Sequence, residues 1–108
     1  MTKANETIPE WETIHLMKPI KRGETVIDKF DLRLPNAVDL LGLSLPSIIS
    51  LETDAVVNVV TRCSNPAITE AEVYALPAGD ITEICGAIRG FFMTRAERTA
   101  RGLPTTIA

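Results

Sequence analysis

The sequence predicts an α+β domain: an N-terminal β-hairpin followed by about four short helices, of which the last, about 77–93, is the longest. Three observations carry this reading. Residues 12–18 and 26–34 alternate apolar and polar side chains with a period of two, the pattern of half-buried strands. Ala55, Val56, Val59, Val60 and Cys63 then recur at helical spacing. Ile81, Ile84, Cys85, Ile88, Phe91 and Phe92 trace a second, longer helical stripe.

In the first strand Ile14 and Leu16 share one face, and Thr13, His15 and Met17 the other. In the second, Val26, Phe30, Leu32 and Leu34 share a face interrupted by Asp28, opposite Ile27, Lys29, Asp31 and Arg33. Residues 19–24 are expected as a longer hairpin loop in which Gly23 supplies a positive φ at little cost. A lone hairpin is marginal in water, so its apolar face must lie on helices or pair with another edge.

Pro35 donates nothing to a strand ladder and stops the second strand. Asn36 suits a helix N-cap with Asp39 three positions on, and Gly42 closes that short helix. Residues 43–51 are apolar but broken by Pro46, near which a turn of helix is expected. Thr53 or Asp54 opens the next helix, and Asn65-Pro66 breaks it. Its valines also suit a strand, but Asn58, Thr61 and Arg62 on the opposite side favour a helix. Thr69 with Glu72 forms a capping box for a short helix over 70–75. Pro77 fits the first turn of the long helix. Gly86 and Gly90 lie four apart on it, and either close approach of a neighbouring helix or simple tolerance accounts for them.

The organisation expected is a flexible N-terminus over 1–11, one domain over 12–93 and a basic flexible tail over 94–108. The tail holds Arg95, Arg98 and Arg101 against Glu97, whereas the rest of the chain is acidic; the whole carries −3. Helical propensity can extend structure through about Arg101, before Gly102.

Function classes narrow by exclusion. No apolar run approaches the roughly 20 residues of a membrane span, and the N-terminus lacks a secretory h-region, so residence in the cytosol is expected. Cys63 and Cys85 then read as small reduced core residues. One histidine, His15, and no Cys-x-x-Cys pair argue against a metal site. No nucleophile elbow, phosphate loop or dinucleotide fingerprint occurs, so no catalytic residues and no cofactor are expected. Nucleic-acid binding lacks a basic face with interleaved aromatics. Protein binding remains. Leu43, Leu45, Ile48, Ile49, Gly86, Gly90, Arg95 and Arg98 are the candidate contact residues, although ordinary core packing accounts slightly better for each of the apolar four.

The ordered set Pro19-Ile20, Gly23-Glu24, Leu32-Arg33-Leu34-Pro35, Asp39-Leu40, Arg62-Cys63, Ile68, Glu72, Leu76, Asp80, Ile84 and Phe91-Phe92 resembles the tail assembly chaperones of Mu-like and P2-like contractile-tailed phages. The resemblance covers roughly residues 12–93 and departs at the proline-broken 43–51 segment. It implies a non-catalytic protein of the host bacterial cytoplasm that binds and solubilises the tape measure protein during tail morphogenesis and is absent from the mature virion. It also implies, in many members, a longer product made by frameshifting. Hairpin edges and the helix face of Gly86 and Gly90 in addition invite self-association into a homo-oligomer. The alternatives are a tail component retained in the virion and a small nucleic-acid-binding regulator.

Overall fold

The computed structural model describes residues 7–107. Its N-terminal half is a hairpin of β1 (Trp11–Arg22) and β2 (Thr25–Arg33). The two pair antiparallel from Trp11 opposite Arg33 to Arg22 opposite Thr25. The connection is therefore tight rather than the longer loop expected from 19–24: pairing runs to Arg22, and Gly23 at φ 60° makes the turn. Pro19 does not end β1, because it lies where the ladder is already interrupted. Between the His15–Lys29 and Ile20–Ile27 pairs, residues 16–19 face only Asp28. An odd number of extra residues inverts the side-chain parity of the partner strand. That is why Ile27, with Phe30 and Leu32, is buried while Val26 is 57% exposed, reversing the expected faces at 26 and 27.

A 3-10 turn (Ala37–Leu40) follows Asn36 and Gly42 takes a positive φ after it, as read from the sequence. Helix α1 (Leu45–Ile49) begins beside Pro46, with Ser44 Oγ accepting from Ser47 N–H at 3.4 Å. Helix α2 (Thr53–Cys63) is the most deeply buried element: Ala55, Val56, Val57, Val59, Val60 and Cys63 are all core. The valine ambiguity resolves to helix, and the predicted face is the buried one. After it, β3 (Ser64–Asn65) adds a third strand beside β2, opposite Leu32 and Asp31. Two residues carry no periodicity, so this strand had no signal of its own.

Helix α3 (Glu70–Tyr74) has the predicted capping box: Thr69 Oγ1 accepts from Glu72 N–H at 3.2 Å, and Glu72 Oε1 from Thr69 N–H at 2.9 Å. Helix α4 (Ala78–Phe91) is the longest at 14 residues, with Pro77 at its N-cap rather than inside its first turn. It is followed by a further helix, α5 (Arg95–Ala100), with its own capping box of Thr94 and Glu97. Beyond it Ile107 bridges Ile8 in parallel, and Ile8 N–H donates to Thr106 O at 2.8 Å.

Asp80, in the first turn of α4, is fully buried. Its Oδ1 accepts from Met17 N–H at 2.7 Å and its Oδ2 from Lys18 N–H at 3.2 Å. These are backbone donors that the interrupted ladder leaves without a strand partner, and the carboxylate also sits at the positive end of the helix. Gly79 lets the two come close: a Cβ there would stand 2.6 Å from Met17 Sδ. Ile84 and Ile88 follow on α4, both 0% exposed, and pack with Ile14, Phe30 and Leu32 of the hairpin and with α2 in one core.

Replacing Asp80 by Ala strands two strand donors, and the expected loss is about 3 kcal/mol. Asp80→Asn keeps one acceptor and loses roughly half as much. Urea denaturation followed by circular dichroism measures both; equal midpoints for wild type and Asp80→Ala would remove Asp80 from its role.

Candidate functional site

The acidic capping residues of the short elements do double duty. Glu72 receives Arg22 from the end of β1, Nε to Oε2 at 2.8 Å and Nη2 to Oε1 at 2.6 Å. Arg22 Nη2 also donates to Ala67 O at 2.6 Å. Asp39 receives Arg33 from the end of β2 in the same two-pronged way, both contacts at 2.9 Å, and accepts from Asn36 N–H at 2.8 Å. Arg62 of α2 donates to the carbonyls of Asp39 and Leu41, at 3.0 and 2.7 Å. The Arg33 guanidinium and the Asn36 amide hold the Asp39 carboxyl down at about 2, and Arg22 with the Thr69 amide holds Glu72 at about 2. Burial pushes the Cys63 and Cys85 thiols up, and both cysteines are free. No group of three or more His, Cys, Asp or Glu residues suited to a metal ion occurs among the described residues.

The eight sequence-derived contact residues fall on two sides of α4. Ile48 is fully buried and belongs to the core, and Leu43 packs half-buried against it. Leu45 and Ile49 of the same short helix are 48% and 64% exposed. With Val38 and Leu41 before them, they place four exposed large apolar side chains within twelve residues. Ile49 also lines a cleft of about 260 Å³, together with Leu51, Ile88, Phe92, Met93 and Arg101 among others. On the other side of α4, Gly86 and Gly90 border a groove of about 400 Å³ with Ile8, Pro9, Thr13 and Glu83. A Cβ at either glycine would meet nothing within 4 Å, so the glycines do not mark a close internal approach; they widen an open groove.

Arg98 closes the end of this groove, its Nη2 donating to Gly90 O at 2.7 Å and its Nη1 to Pro104 O at 3.4 Å. It thereby satisfies a carbonyl of the last turn of α4. Arg95 is exposed and lines a smaller cleft with Ile8, Leu34 and Ile107. A third groove, about 540 Å³ between Lys18–Lys21 and Ala71, Ala75 and Leu76, escaped the sequence reading. It arises where the interrupted ladder of β1 passes α3, which no local pattern announces. The break between α4 and α5 also escaped the sequence reading, which let helix run on to about Arg101; the capping box Thr94-Arg-Ala-Glu97 is the signal that could have shown it.

What the surface offers, then, is apolar grooves with charged rims. Over 78 residues, 72% of this chain, it is 41% identical to tail assembly protein E of Escherichia phage P2, and the match spans 86% of that protein. Over 80 residues it is 40% identical to tail assembly protein E′ of the same phage, spanning 56% of that longer protein. The chain belongs to the family of phage tail assembly proteins that includes E and E′ of P2. It thus spans little more than half of the length of E′. No family model matches the sequence, and no solved structure matches the fold.

Because both paired carboxyls titrate lower in the folded chain than the usual 4 or so of an unfolded one, their contribution is present above about pH 4.5. It is lost as pH falls toward about 2. The melting temperature is expected to drop across that window, and the Arg22→Gln/Arg33→Gln double variant to show a shallower drop. Parallel pH profiles for the two proteins would contradict the assignment.

Proposed function

We propose that this protein is a non-catalytic chaperone of tail morphogenesis that acts in the host bacterial cytoplasm by covering apolar helical surface of the tape measure protein. Kinship with E and E′ places it in tail assembly. The observation that carries the finer reading is the exposed apolar run of Val38, Leu41, Leu45 and Ile49, the last of which lines the α4–α5 cleft. Surfaces of this kind mark sites for a protein partner. An amphipathic helix laid into an apolar groove is a recurring way of using them. A tape measure chain is long and aggregates when its apolar stripes are bare, so several copies along it add avidity while each contact stays reversible. Self-association and absence from the finished particle are part of the same proposal.

Co-expression with the tape measure protein of the same phage is expected to carry that protein into the soluble fraction and to co-purify it. Ile49→Asp, on an exposed side chain, should leave the fold intact and weaken capture by about tenfold. An insoluble tape measure protein with nothing co-purifying would refute the reading. Mass spectrometry of purified virions should find the protein missing; stoichiometric recovery would instead make it a retained tail component.

A further inference from the structure

The pairing register of the hairpin fixes which backbone groups of β1 face outward. Leu34 N–H donates to Glu10 O at 2.7 Å, and Glu12 opposes Leu32 and Ile14 opposes Phe30. From Glu10 to His15 the even-numbered residues therefore exchange hydrogen bonds with β2, and Trp11, Thr13 and His15 direct N–H and C=O away from it; beyond His15 the ladder breaks and Met17 is free as well. Helix α4 runs along this free edge and caps it from its own side chains. Asp80 takes Met17 N–H, and Glu83, one turn on, takes His15 N–H at 3.1 Å. The next two turns on that side carry Gly86 and Gly90, which have no side chain to offer. Thr13 and Trp11 N–H have no acceptor among the described residues, and the groove opens there, lined by Thr13, Gly86 and Gly90.

We infer that this groove takes an extended peptide segment of the partner, added as a strand to the edge of β1 at Trp11–Thr13. The inference rests on the chaperone reading above and gives it a second, non-helical contact. Outward donors and acceptors two residues apart match an extended chain, whereas a helix has its backbone groups already paired. The volume of about 400 Å³ suits a short strand. At 3.3 Å per residue, 4.8 Å between strands and 10 Å between layers, it is roughly three extended residues. Glu12 and Glu83 stand on its walls and Arg98 at its end, its guanidinium already donating to Gly90 O and Pro104 O, so the lining is net acidic and favours a segment carrying Lys or Arg. A second copy of β1 fits poorly. Antiparallel pairing of Trp11 with the partner's Thr13 would set Glu12 directly across from its own symmetry mate, like charge against like at the closest side-chain spacing.

The test uses the full chain and tiled twelve-residue peptides of the tape measure protein from the same phage, with fluorescence anisotropy for affinity and amide NMR for location. At least one basic tile should bind, shifting the Trp11 and Thr13 amide signals. N-methylation of its edge-facing residues should weaken it roughly thirtyfold, as two lost hydrogen bonds imply, and N-methylation of the alternate residues should not. Gly86→Leu, a good helix former placed in open space, should keep the melting temperature and abolish tile binding. Tiles indifferent to both changes would overturn the inference. So would the absence of any binding tile while full-length tape measure protein still co-purifies, which leaves the chaperone reading standing. If neither tile nor full-length protein binds, both fall.

Discussion

The contact between one buried carboxylate and the interrupted stretch of β1 organises this molecule. A regular hairpin would have placed the same apolar face inward along both strands and left its outer edge bare. Instead residues 16–19 leave the ladder, and the two backbone donors released there, Met17 and Lys18, are taken by Asp80 at the start of α4. Such donors must find partners if the region is to be buried. Asp80 supplies both and in doing so fixes where the longest helix begins relative to the sheet. From that point Ile84 and Ile88 are directed into the core with Ile14, Phe30 and Leu32, and Gly86 and Gly90 are left toward the strand edge.

A second layer of constraint comes from arginines at the strand ends. Arg22 and Arg33 each reach a capping acid, Glu72 and Asp39, so that the hairpin holds the starts of α3 and the 3-10 turn. Exposed ion pairs contribute little singly. Here each carboxylate also binds a backbone amide at an element's start, which joins a local cap to a long-range contact. The apolar positions that escape burial, Val38, Leu41, Leu45 and Ile49, lie just past one of these pinned starts. This exposed apolar face is thereby held by polar contacts behind it.

Much of this was legible in the residues. The hairpin, the buried face of α2, the Thr69–Glu72 cap, the helix near Pro46 and the extent of α4 all follow from periodicity and capping chemistry. What was not legible depends on pairing between distant segments. No pattern in 16–19 announces that three extra residues invert the faces at Val26 and Ile27, and nothing local pairs Asp80 with Met17, 63 positions away. Asp80 entered the sequence reading only through the family resemblance, and it is fully buried. For the site, the sequence did not separate the four apolar candidates: Leu45 and Ile49 are exposed, while Ile48 between them is core. The glycines of α4 left close approach and simple tolerance open; the structure shows open space at both, and Arg98 acts as a tie between helices.

Hydrogen exchange of the chain alone and in complex with the tape measure protein bears most directly on the claim that this molecule works by covering another polypeptide. Added protection over residues 41–51 and at Trp11 and Thr13, with little change along α2, is the expected result. A complex that protects neither region, or protects only the groove between Lys18–Lys21 and α3, would contradict the account.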